Sequence, residues 1–112
     1  MKKLLLFLVA ISINQSLTYA QEVKWLKSYG GYGSDFLYSV EQTADGGFIL
    51  GGMSESNISG DKLENSNGGW DIWIVKTDVS GTIQWQNTIG GSDYDEITSV
   101  QQTPDGGYII GG

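Results

Sequence analysis

The groups able to do chemistry in this chain are almost all carboxylates. Asp93, Asp95 and Glu96 stand close together, and Asp61 and Glu64 lie in a stretch rich in Ser, Asn and Gly. Carboxylates held about 5–9 Å apart can act as acid and base in glycoside cleavage. Carboxylates beside glycine-rich carbonyls also suit calcium, which takes about six to eight oxygen ligands. The run Asp61-Lys62-Leu63-Glu64-Asn65 departs from a calcium-loop pattern, because Leu63 cannot ligate. The chain has no His and no Cys. That removes imidazole bases, thiol nucleophiles, zinc and iron–sulfur sites, and disulfides. No catalytic residue, cofactor or metal ligand is therefore assigned. Trp70, after Gly68-Gly69, is a candidate of another kind: an exposed indole beside polar loops can stack on a sugar ring or anchor a protein. The candidate contact set is Trp70, Asp61, Glu64, Asp93, Asp95 and Glu96.

The charge balance restricts what such a set could meet. Over 112 residues there are 13 acidic and 6 basic side chains, a formal net charge of −7. Nucleic acid is excluded as a partner by phosphate repulsion, and an anionic membrane surface likewise. A protein or a neutral glycan remains, and the acidity itself favours solubility.

Two of the basic residues belong to the N-terminus. Lys2 and Lys3 precede the apolar run Leu4–Ile13, and Thr18-Tyr19-Ala20 ends on a small residue. This is the three-part pattern of a secretory signal peptide, residues 1–20, with cleavage expected before Gln21. The apolar run is too short to span a bilayer, so no membrane insertion is expected after cleavage. The expected location is secreted or cell-surface, or periplasmic if no sorting domain is attached.

The elements that would position the candidates come from an internal repeat. With Trp25 placed over Trp85, WLKSYGGYGSDFLYSVEQTADGGFILGG aligns without a gap on WQNTIGGSDYDEITSVQQTPDGGYIIGG, an offset of 60. A period this long marks a supersecondary unit stacked on its neighbours. Each unit reads as four strands: Leu37–Thr43, Phe48–Met53, Asp71–Thr77 and Thr82–Ile89. DIWIVKT is apolar on both faces; TIQWQNTI alternates, with Ile83 and Trp85 on one side. Asp45-Gly46-Gly47, Asp105-Gly106-Gly107 and Asp78–Gly81 read as hairpin turns, Asp-Gly suiting positive φ angles. Four antiparallel strands with both faces of the middle ones apolar predict an all-β fold built of β-propeller blades. A β-sandwich is the structural alternative.

Val23–Tyr29 aligns with the fourth strand. Residues 21–112 thus read as one full blade flanked by two partial blades. A ring takes about four or more, so the missing blades are expected from a longer chain or from other copies. The run W-x4-GG, D-x3-S-V-x-Q-T, DGG-[FY]-I-x-GG and DIWIVKTD-x2-G-x3-W resembles secreted propeller-repeat proteins of Bacteroidota. That resemblance implies export, often through a type IX sorting domain, and says little about activity. Gly81-x-x-x-Trp85 is similar to the Gly-x-x-x-Trp spacing of quinoprotein propellers. The resemblance implies Trp85, and Trp25 by symmetry, as wedges between blades, without a bound quinone.

In this arrangement the loops around 30–36, 54–70 and 90–96 share one rim, where binding on a rigid scaffold usually sits. Asp35 and Asp95 are equivalent across the repeat, so they are expected to bond to loop amides and fix the blade junction. Trp73, inside the third strand, is expected in the core. The expected function is a non-enzymatic binding or structural scaffold; a secreted glycan-active enzyme using rim carboxylates is the alternative.

Overall fold

The computed structural model describes residues 5–11 and 22–112, with side chains from Leu26 onward. The described residues form an all-β structure with no helix, so none is long and apolar enough to cross a membrane. The strands are β1 (Leu5–Ile11), β2 (Glu22–Tyr29), β3 (Asp35–Gln42), β4 (Phe48–Ser54), β5 (Asp71–Thr77), β6 (Ile83–Ile89), β7 (Ser99–Gln102) and β8 (Tyr108–Gly111). They make a central antiparallel sheet in the order β3-β4-β5-β6, with two-stranded sheets β1-β2 and β7-β8 beside it. No closed ring of sheets forms among the described residues.

The central sheet has no polar face in its middle because both faces are covered. On one face Phe48, Leu50, Trp73 and Val75 are buried with Tyr29 of β2, and Leu37 and Ile83 pack at the margin. On the other, Ile49, Met53 and Ile74 are buried with Val100 of β7 and with Ile97 in the segment leading into it. Alternation along β4 and β5 sends successive side chains to opposite layers. Each fully buried large apolar side chain contributes about 1.5–3 kcal/mol. Gly51 makes the second layer possible: a Cβ there would lie 2.8 Å from Ile97 Cδ1 and 3.1 Å from Val100 Cγ1.

The 60-residue repeat is visible in the pairing. Gln102 lies opposite Tyr108 as Gln42 lies opposite Phe48, and Val100 opposite Ile110 as Val40 opposite Leu50. Likewise Tyr29 faces Leu5 as Ile89 faces Ile72. Both of those pairs break register at the same level, between Val9 and Ala10 and between Lys76 and Thr77. A strand from the segment read as a leader thus occupies, against β2, the place that β5 occupies against β6. Residues 12–21, which contain the expected cleavage point, lie outside the described residues, as does the Trp25 side chain.

The successive sheets are tied where β3 and β7 approach. Ser39 Oγ accepts from Val100 N at 3.2 Å, Glu41 Oε1 from Gln102 N at 3.2 Å, and Gln102 Oε1 from Ala44 N at 2.8 Å. These residues are about one repeat apart in sequence, so the contact joins like strands of neighbouring units.

Three local expectations need correction. In the Asp-Gly turns only glycine takes positive φ, 87° at Gly46 and 91° at Gly106. The chain instead closes through Gly46 N to Thr43 O at 2.9 Å, while Asp45 Oδ1 accepts from Gly47 N at 2.9 Å. The carboxylate organises the turn from its side chain and has no need of an unusual backbone angle. Secondly, Ile83 and Trp85 do not share a face. Lys76 pairs with Trp85 and Thr77 with Ile83, leaving Gln84 as a bulge that reverses the alternation. Ile83 therefore packs against the cluster of Tyr29, Phe48, Leu50, Trp73 and Val75, while Trp85 meets Tyr108 of the next sheet edge-on at 5.5 Å. Thirdly, the first strand of the unit begins at Asp35, two residues before the expected Leu37.

Candidate functional site

The loops joining β2 to β3, β4 to β5 and β6 to β7 gather at one end of the sheets. Asp35 anchors them. It is fully buried and accepts from Gly31 N at 2.9 Å, from Ser54 Oγ at 2.5 Å and from Ser56 Oγ at 3.1–3.2 Å. Its equivalent Asp95 accepts from Gly91 N at 2.8 Å. This is the junction role expected of the pair, repeated at the same spacing. The long loop then closes on the short one: Tyr32 N donates to Ser59 Oγ at 2.8 Å and Gly33 N to Ser56 Oγ at 2.9 Å.

Most of the candidate carboxylates are used inside this scaffold. Asp61 Oδ2 accepts from Gly30 N at 3.0 Å, and Asp61 N returns a bond to Gly30 O at 2.8 Å. Glu64 Oε1 takes the Thr88 N–H. Lys62 is fully buried and donates to Glu64 O at 2.7 Å. Burial pushes its ammonium below the ordinary lysine range, against the opposing pull of Asp71, Asp35 and Glu64. Gln86 latches the loop to β6: its Oε1 accepts from Trp73 Nε1 at 2.9 Å and Leu63 N at 3.0 Å, and its Nε2 donates to Asp61 O at 2.8 Å. Tyr29 is held the same way, its hydroxyl donating to Gly81 O at 2.5 Å. Burial, helped by Asp61 and Asp78, pushes that hydroxyl up to about 12.

Asp93 and Glu96 remain exposed, and Asp95 is half-buried. The structure therefore does not bring Asp93, Asp95 and Glu96 together as three equivalent acids; Asp95 belongs to the backbone junction. Among the described residues no group of three or more acidic side chains is placed to hold a metal ion.

Trp70 is half-buried, and its indole lies 5.4 Å from the Phe36 ring at 36°. Asp95 N donates to Trp70 O at 2.8 Å, which brings the 93–96 segment alongside. Partial desolvation, with Glu96 and Tyr38 as neighbours, raises the Tyr94 hydroxyl above its ordinary value. Trp70 thus sits in a set with Phe36, Tyr38 and Tyr94, the last three exposed, edged by Asp93 and Glu96. Tyr38 is the extra residue where register shifts between Leu37 and Ser39, and such bulges re-aim side chains. Sequence reasoning missed Phe36, Tyr38 and Tyr94. The signal was present as failures of the repeat: their equivalents are Glu96, Thr98 and Ser34.

A shallow groove of about 610 Å³ lies elsewhere, lined by Asp61, Leu63, Glu64 and Ile83–Gln86 along β6. Comparison of the chain with protein-family models, with curated proteins and with solved structures found no match.

Proposed function

We propose that the chain is part of an exported β-propeller-repeat protein, a non-enzymatic scaffold whose aromatic rim contacts a neutral glycan outside the cell or at its surface. In this reading each sheet is a blade, residues 1–20 are a leader, and further blades come from a longer chain or other copies. The stacking supports it. Val100 and Tyr108 of the β7-β8 sheet, with Ile97 just before it, pack on one face of the central sheet, and Tyr29 at the end of β2 packs on the other, as residues of neighbouring blades would.

The observation that carries the binding reading is that the exposed aromatics break the repeat. Scaffold residues such as Asp35 and Asp95 recur, because every junction needs them. Phe36, Tyr38 and Tyr94 do not recur and are exposed, Phe36 with one side of its ring against Trp70. Flat aromatic faces match the apolar faces of pyranose rings, and exposed carboxylates such as Asp93 and Glu96 accept from sugar hydroxyls. The net charge of −7 favours neutral over anionic sugars.

Affinity electrophoresis of the chain through gels containing neutral polysaccharides tests this. Retardation is expected with at least one polysaccharide, and Trp70→Ala or Tyr94→Ala should weaken it about tenfold, the ~1.4 kcal/mol of a lost stacking contact. Retardation unchanged in both variants, or absent from every polysaccharide, overturns the reading. Sugar hydrolysis abolished by Asp93→Asn with Glu96→Gln would establish the enzyme instead.

A further inference from the structure

We infer that the outer edge of β8, with Asp105, is a receptor for one more β-strand of the chemistry of Asp71–Thr77, supplied by a further copy of this repeat. The inference rests on the repeat reading of the fold.

The occupied version of the receptor is present in the central sheet. There β4 pairs along its length with β5, from Phe48 opposite Thr77 to Ser54 opposite Asp71. Lys76, opposite Ile49, reaches back over the hairpin end to Asp45, with Nζ 3.0 Å from Oδ2 and 3.3 Å from Oδ1. The same ammonium donates to Thr77 O at 2.8 Å and to Gln84 Oε1 at 2.9 Å. The third strand is thus recognised through its backbone and through one charge pair at a fixed level.

The β7-β8 hairpin repeats every part of this except the strand. Thr103 Oγ1 donates to Asp105 Oδ1 at 2.5 Å and Gly107 N donates to it at 3.1 Å, as Thr43 and Gly47 do to Asp45. Gly106 matches Gly46 in φ. Yet no described residue brings an ammonium to Asp105, and the β8 edge is unpaired among the described residues. Ile109 is 61% exposed where its equivalent Ile49 is 0%, and Ile110 is 37% exposed where Leu50 is 1%. The receptor is therefore formed, charged and apolar, and its register is set by β8.

Charge complementarity names the occupant. A strand carrying lysine at the position of Lys76 would face Ile109 and meet Asp105. β1 shows that an apolar strand of other sequence can take the third-strand place on backbone pairing, but at that level it carries Val9. It cannot answer Asp105. A segment like DIWIVKT answers both the edge and the carboxylate by strand addition.

The probe is a fluorescent synthetic peptide of residues 70–78, N-methylated on its solvent-facing amides to keep it monomeric, titrated into the full chain. Saturable one-to-one binding is expected, with hydrogen-exchange protection appearing at Ile109–Gly111. Asp105→Asn, which keeps the turn, should weaken binding about tenfold, as should Lys76→Glu in the peptide. Asp105→Lys should restore the Lys76→Glu peptide. Absence of binding at millimolar peptide, or binding indifferent to Asp105, overturns the inference. So does pairing of β8 with β8 of a second copy. Polysaccharide retardation is read separately, so failure here leaves the rim reading standing.

Discussion

Replacing Asp35 by alanine removes the acceptor on which three buried donors converge. Gly31 N, Ser54 Oγ and Ser56 Oγ all lie within 3.2 Å of its carboxylate, and all three residues are buried. A hydrogen bond to a charged group contributes about 1.5–3 kcal/mol, and a buried donor left unpaired costs about 1–3 kcal/mol. Ser54 and Ser56 hydroxyls can turn to other acceptors, so the three losses do not simply add. Loss of about 3–5 kcal/mol is expected, at the upper end of single-substitution effects, where broken buried hydrogen-bond networks fall. Asp95→Ala provides the internal control. It is the same residue type at the equivalent position, half-buried and accepting from Gly91 N, so about 1 kcal/mol is expected. Urea unfolding followed by tryptophan fluorescence at low micromolar concentration reads both. Equal losses for the two variants, or a loss under about 1 kcal/mol for Asp35→Ala, would refute the claim that burial of the junction sets its strength.

Acid should weaken the hairpin ends. Asp45, Asp78 and Asp105 all have carboxyls held below the ordinary 3.8, chiefly by Thr43, by Thr82 N–H and by Thr103 respectively. A depressed native value stabilises above the unfolded one, so this contribution is full above about pH 5 and is lost as pH falls below 3.8. Urea midpoints measured from pH 6 to pH 2 should fall, and Asp45→Asn should flatten the acid limb. Gly51→Val should push Ile97 and Val100 away, since even a Cβ would sit 2.8 Å from Ile97 Cδ1. Hydrogen exchange should then quicken across residues 97–111 while β5 stays protected; uniform quickening would argue against separate sheets. Gln86→Ala should cost about 1–3 kcal/mol by stripping the partner from Trp73 Nε1, measured in the same urea assay.

The strands were legible because their pattern is strong. DIWIVKT is bounded by Trp70 and Asp78 and matches β5 residue for residue, since its unbroken apolar centre Ile72–Val75 needs cover on both faces. The junction aspartates were legible through repetition. The bulges at Tyr38 and Gln84 were not, because a strand with one extra residue keeps its composition while its faces exchange. That is why plain alternation puts Trp85 on the side of Ile83, and why composition gives no sign that Tyr38 turns outward. At the rim, sequence offered a list of acids. It could not tell which would be absorbed by backbone amides: Asp61, Glu64 and Asp95 were, while Asp93 and Glu96 stayed exposed. That distinction depends on loop closure through Ser56, Ser59 and Gln86, which are chemically ordinary residues.

The contact between the central sheet and the β7-β8 sheet joins unlike surfaces: one layer supplies Ile49, Met53 and Ile74, and the other supplies Val100 and Tyr108. Such an interface has a direction. In a repeat array it would not be consumed by pairing, since Ile109 stands exposed at the position where Ile49 is covered. Growth by this contact ends only if the accumulated rotation returns the last unit to the first; otherwise it winds on as a filament. In an array of such units the angle between adjacent sheets would decide between a particle of fixed size and an open fibre, and Gly51, whose missing Cβ lets Ile97 and Val100 approach, would bear on that angle.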